Sequence, residues 1–167
     1  MIINREWAMP SAHTFTIKPI AELLKKYNVG KNWIDPFAGF NSPAEITNDI
    51  NKDAPTTHHT EADRFVNYFE NGWFDGALFD PPYSNRQISE HYKKANLIPT
   101  QKDTSAEFYS RVKNPLAIKI KKGGICISFG WNSQGMGKKR GFEIVEILLV
   151  AHGGSHNDTI VVVEKKL

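Results

Sequence analysis

A single cysteine, Cys126, occurs among 167 residues. One chain therefore cannot build an intramolecular disulfide framework or a cysteine-based zinc cluster. Six histidines are present, but His58-His59 and His152/His156 lack cysteine or carboxylate partners at ligand spacing, so no metal is expected. Long hydrophobic runs are missing as well. The longest uncharged apolar run, residues 147–151, is far short of the ~20 residues that span a bilayer. The opening residues hold no apolar stretch of signal-peptide length, so a cytoplasmic location without membrane contact is expected. Neither sign of charge dominates: a net charge of +3 is too mild to identify a partner, and only local clustering of basic residues would argue for nucleic acid. No repeat or low-complexity segment interrupts the chain. What remains is an ordinary folded composition, 40% hydrophobic and 23% charged, of a length that suits one domain with a sizeable core.

Glycine and proline punctuate short apolar runs. Within residues 20–27, Ile20, Leu23, Leu24 and Tyr27 share one helical face, and Pro19 suits an early helix position. Strands rich in Ile, Val and Phe are expected at 33–35, 45–50, 74–79, 124–129, 142–150 and 159–163. Helices are expected at 62–70, 87–94 and 105–113, the last opened by a T-x-x-E box of Thr104 and Glu107, while 96–103 reads as a loop. Strands alternating with helices predict an α/β fold with a largely parallel sheet whose last two strands, joined by a short turn, pair antiparallel. Ligands of such sheets bind beyond the carboxyl ends of the strands.

At one such end, Gly76-Ala77-Leu78-Phe79 runs directly into Asp80-Pro81-Pro82-Tyr83. An Asp-Pro turn followed by a core tyrosine accounts for these residues. A chemical reading accounts for them equally. Proline fixes φ and has no N–H, so the loop is stiff and presents carbonyl oxygens without competing donors. The Asp80 carboxylate and the Pro81 carbonyl then form two acceptors for an exocyclic amine, leaving its nitrogen lone pair free to attack an electrophilic carbon. Pro82 stiffens the turn, and Tyr83 offers a ring on which a base extruded from its helix can stack.

Asp80-Pro81-Pro82-Tyr83 resembles the catalytic motif of S-adenosylmethionine-dependent DNA amino-methyltransferases, above all the adenine-N6 type. The rest of the chain follows the order of that family. Asp35-Pro36-Phe37-Ala38-Gly39-Phe40-Asn41 is similar to its cofactor loop, departing at Asn41, where glycine is usual. The resemblance implies that Asp49, with Ile50 beside it, accepts the ribose hydroxyls of the cofactor, and that Asp63 approaches its adenine; Asp63 equally suits a cap of the following helix. Phe15 and Thr16 lie in a segment resembling the one that, in a permuted group, contacts the methionine end. The fold implied is a Rossmann-like class I methyltransferase: a mostly parallel seven-stranded sheet with an antiparallel C-terminal hairpin and helices on both faces. It would form one methyltransferase domain over residues 1–167, without a separate target-recognition domain, as in a small phage-like member active in a bacterial or phage-infected cell.

The activity this implies is methyl transfer from S-adenosyl-L-methionine to adenine N6 in DNA, with low or short sequence specificity. Otherwise recognition comes from a second copy or a separate specificity subunit. Arg86 and Lys138-Lys139-Arg140 are candidate phosphate contacts, and Trp131 and Asn132 candidate borders of the base pocket. A solvated turn and a core tryptophan explain the same residues. Cys126, inside an apolar strand, reads as a buried thiol, against the cysteine-dependent C5-cytosine chemistry. The alternatives are N4-cytosine, RNA or protein-amide methylation, or a non-catalytic subunit that binds S-adenosylmethionine or nucleic acid.

Overall fold

The computed structural model describes residues 1–103, 105 and 107–167. Seven strands form one sheet: β1 (Ile2–Trp7), β2 (Trp33–Asp35), β3 (Ile46–Thr47), β4 (Phe74–Phe79), β5 (Ile120–Gly130), β6 (Phe142–Ala151) and β7 (Thr159–Lys166). Their order is β1-β6-β7-β5-β4-β2-β3. Only β7 runs against its neighbours, pairing antiparallel with β5 and β6, while all other pairs are parallel. The chain leaves β2 outward to β3, then returns to β4 on the other side of β2 and continues away to β5. The carboxyl ends of β2 and β4 therefore flank the point where the winding reverses, the place where open α/β sheets form a ligand crevice.

Side-chain alternation along the strands divides the core into two layers. On one face, α1 (Lys18–Lys26) lays Ile20, Leu23 and Leu24 over Leu78, Ile127, Val161 and Val163. On the other, Phe65 and Val66 of α2 (Ala62–Val66) and Val112 and Leu116 of α4 (Glu107–Lys119) cover Ile34, Ala77, Phe79 and Cys126. Between β4 and α4, α3 (Asn85–Lys94) packs Ile88 and Tyr92 against Phe108 and Phe37 at the carboxyl end of the sheet. Trp33 lies flat over its partner Gly76, leaving no room for a side chain there: a Cβ would sit 2.6 Å from the indole.

The sheet thus has the expected mixed architecture, with several boundaries moved. β1 was not expected, because IINREW buries neither face; backbone pairing with β6, from Ile2↔Glu146 to Trp7↔Ala151, defines it instead. The strand expected at 45–50 contracts to two residues, because the backbones of Asn48 and Asp49 turn to partners in Asp35, Ala38 and His58. The helix expected at 62–70 stops after Val66, where the Asn67 amide donates to the Asp63 carbonyl and its N–H to the Arg64 carbonyl. The helix placed at 105–113 runs on through Pro115 to Lys119. The cap assigned to Thr104 lies outside the described residues. Among the described residues, no helix is long and apolar enough to cross a membrane.

Candidate active site

Beyond β2 and β4 the chain encloses an open cleft of about 510 Å³, within the range of small-molecule sites. One wall is the loop after β2, through Phe37, Ala38, Gly39, Phe40 and Asn41; the opposite wall is Asp80-Pro81-Pro82-Tyr83 after β4. Phe15, packed edge-on against Phe129, and Asp49 also line the cleft. Two loops 40 residues apart in sequence thus meet because their strands are neighbours. Gly39 adopts φ +56°, and nothing lies within 4 Å of where its Cβ would stand, so this backbone is open to a ligand. Asn41 is not among the residues with positive φ. The left-handed conformation falls at Gly39, and the departure from glycine at position 41 carries no backbone strain.

The loop is shaped from beneath by Asp35. This carboxylate is fully buried, accepting from Phe37 N at 3.0 Å and from the Ser42 hydroxyl at 2.6 Å. Burial pushes its carboxyl up to about 7, although those two hydrogen bonds favour the ionised form. Asp49 answers from the loop beyond β3: its Oδ2 accepts from Gly39 N (3.0 Å) and its Oδ1 from Asn51 N (2.8 Å). Burial acts to raise the Asp49 carboxyl, but hydrogen bonds from His91, Asn51 and Gly39 outweigh it and hold the group below the usual carboxylate range.

On the opposite wall, Tyr83 donates its hydroxyl to Asp80 Oδ1 at 2.5 Å. Burial raises the Asp80 carboxyl to about 6, although the Tyr83 and Thr14 side chains favour its ionised form, and burial with the neighbouring Asp80 charge drives the Tyr83 phenol far up. Tyr109 of α4 donates to the Pro82 carbonyl at 2.7 Å. Tyr83 N donates to Gln87 Oε1 at 2.7 Å, and Gln87 N to Ser84 Oγ at 3.2 Å, where α3 begins.

Pro81 and Tyr83 also border a second, larger hollow of about 960 Å³ that includes Trp131, Asn132, Lys138 and Arg140. Trp131 meets the Tyr83 ring edge-on at 5.4 Å. The loop carrying it is braced on three sides. Glu164 accepts from Met136 N and Gly137 N, Lys113 Nζ donates to the carbonyls of Gln134 and Gly135, and Arg140 donates to Met136 O and Asn114 Oδ1. Lys139 is exposed beside the hollow rather than lining it. Arg86 points to solvent, paired with Glu90 at 2.9 Å.

Other sequence candidates sit around the cleft rather than in it. Pro36 and Ile50 line a small adjoining void with Pro82 and Phe108. Asp63 lies in the first turn of α2, 3.9 Å from Arg111. Thr16 bonds back to the His13 carbonyl and faces a separate groove beside Trp7 and Met9. Gln87, His91 and Tyr109 were missed by sequence reasoning. The S-x-x-Q pattern of Ser84 and Gln87 was a legible signal for the first; the others depend on how α3 and α4 pack. Among the described residues, no group of three or more His, Cys, Asp or Glu side chains could hold a metal.

No protein-family model matches this sequence, and no curated protein matches it. Solved structures match its fold. TrmN from Thermus thermophilus aligns over 91% of this chain and 49% of its own, at 15% identity and TM-score 0.59. This chain therefore spans about half the length of that protein. The 1,6-didemethyltoxoflavin-N1-methyltransferase of Burkholderia thailandensis, solved with S-adenosylhomocysteine, aligns over 87% of this chain and 75% of its own, at 12% identity and TM-score 0.58. A SAM-dependent methyltransferase from Methanosarcina mazei aligns over 87% and 97%, at 12% identity and TM-score 0.52. The fold is a Rossmann-like methyltransferase fold.

Proposed function

We propose that this chain transfers a methyl group from S-adenosylmethionine to the N6 amine of adenine in DNA. The observation that carries the reading is the meeting, across one cleft, of the 37–41 loop with Asp49 on one side and the Asp80 carboxylate with its stiff Pro81-Pro82 turn on the other. The residues present suit the cofactor: an open glycine backbone at Gly39, a buried carboxylate at Asp49 for paired hydroxyls, and a cleft of adequate size. When bound, the cofactor would supply an electrophilic methyl group on a sulfonium sulfur, for a displacement in which the C–S bond breaks, its electron pair staying on sulfur, as the C–N bond to the amine forms.

Asp80 and the Pro81 carbonyl orient the amine by accepting its two N–H bonds, keeping the nitrogen lone pair out of conjugation. Tyr83 hydrogen-bonds to Asp80 in the absence of the target and turns aside to stack on the base when the amine takes its place. The amine sheds one proton on methylation, and Asp80 is the acceptor at hand. Tyr109, through the Pro82 carbonyl, holds the turn in register. Trp131 and Tyr83 form an aromatic corner for the base, and Lys138 and Lys139 offer sequence-independent contacts to phosphates.

Incubation of the protein with S-adenosylmethionine and either unmethylated DNA or RNA, followed by nucleoside mass spectrometry, tests the assignment. N6-methyladenine in DNA is the expected product. N4-methylcytosine, or methylation confined to RNA, would replace it with the same chemistry on another amine.

A further inference from the structure

Both carboxylates to which the proposed function gives work are satisfied by one segment of chain. At residue 83, ahead of α3, the Tyr83 hydroxyl occupies Asp80. Two turns along that helix, His91 Nε2 stands 3.3 Å from Asp49 Oδ1. Among the described residues, the Asp49 carboxylate otherwise accepts from the backbone N–H groups of Gly39 and Asn51. A carboxylate offers about four acceptor positions; two hold the loop in shape, and His91 stands on one of those left. Its side chain is 34% exposed against 4% for that of Asp49, so it reaches in from the rim and covers the acid. Behind this contact, Ile50, Ala62, Pro82, Tyr92 and Phe108 line a void of about 10 Å³, room for a single water at most. The open cleft and this apolar void share Phe37, Asp49, Pro82 and His91 as their boundary.

We propose that His91 sets cofactor affinity by competing with the cofactor's ribose hydroxyls for Asp49. The inference rests on the reading that Asp49 receives those hydroxyls. A binding cofactor displaces His91 from the acid, and the movement is carried by α3 to its first turn. There Gln87 holds the Tyr83 N–H and Ser84 caps the helix, so filling the cofactor half of the cleft loosens the side chain that covers Asp80. His91 is a positioning residue in this scheme and takes no part in methyl transfer.

Calorimetric titration with S-adenosylhomocysteine tests the competition without catalysis. His91→Ala is expected to bind about tenfold tighter than the wild type, the equivalent of removing one net hydrogen bond from the unliganded state. His91→Phe keeps the ring but cannot donate, and is expected to gain affinity as well. In an Asp49→Asn background, where binding is weakened, His91→Ala should bring no further gain. Affinity equal to or below wild type in both His91 variants, with Asp49→Asn still weak, overturns the inference and leaves the assignment of Asp49 standing. Binding unchanged by Asp49→Asn overturns both. Circular dichroism melts confirm that each variant is folded at the titration temperature; loss of the His91 contact lowers the unliganded melting temperature modestly, and saturating S-adenosylhomocysteine is expected to raise it by more in the His91 variants than in the wild type.

Discussion

At the residue scale, Asp80 is the group whose ionisation governs the proposed chemistry. Burial raises its carboxyl to about 6, and only the ionised form accepts freely from an amine. Below that value the proton occupies the acceptor, so turnover should rise with pH through about 6 and level off above it, and Asp80→Asn should lack this limb. A wild-type rate flat from pH 5 to pH 8 would contradict the assignment. Tyr109 contributes one hydrogen bond to the Pro82 carbonyl. Tyr109→Phe removes it at a cost of about 1 kcal/mol, and about a fivefold fall in kcat is expected with unchanged affinity for S-adenosylhomocysteine. Asp35 affects stability rather than rate. Its folded carboxyl is raised to about 7 by burial, well above its unfolded value of about 3.9, so the folded state holds a proton that the unfolded chain releases. The stability this group contributes is present at low pH and is lost as pH rises through about 7. Between pH 5 and 8, Tm should decline less steeply in Asp35→Asn than in the wild type.

At the element scale, close packing of β2 on β4 keeps the two loops of the candidate site in register. Gly76→Ala would drive a methyl group into the Trp33 ring, an overpacking expected to cost about 1–3 kcal/mol, read as a lowered urea midpoint with an unchanged m-value. The elements legible in the sequence were those whose own side chains report burial. Phe74–Phe79 alternates into two core layers, and residues 20–27 present one apolar stripe, so both were found. β1 escaped because an edge strand with all six side chains exposed has no burial pattern to read. α4 runs past the expected end at 113 because Leu116 and Ala117 beyond Pro115 are buried in the core and hold the helix through the proline. α3 was legible as a helix. That His91 reaches Asp49 was not, since only tertiary packing sets where a helix face points.

For the whole molecule, winding reversal between β2 and β4 is what makes a site out of two separate motifs. Asp80-Pro81-Pro82-Tyr83 and the 37–41 loop were each legible as residues, and their order in the chain made the pair readable together. Sequence did not reveal how the surrounding groups fasten them: Tyr109 holds the turn through the Pro82 carbonyl, a contact made across the fold. The second hollow and its basic rim belong to this scale too. If Lys138 and Lys139 meet phosphates, the double alanine variant should bind duplex DNA with a log–log salt slope shallower by about 2, and an unchanged slope would remove them from the interface. In the proposed chemistry, Asp80 is the acceptor that activates the amine. Methyl transfer to DNA by wild type and Asp80→Ala, measured beside S-adenosylhomocysteine binding by both, tests this directly. Equal affinity and turnover reduced by about 10²-fold or more in the variant are expected; comparable turnover by the two proteins would remove Asp80 from that role.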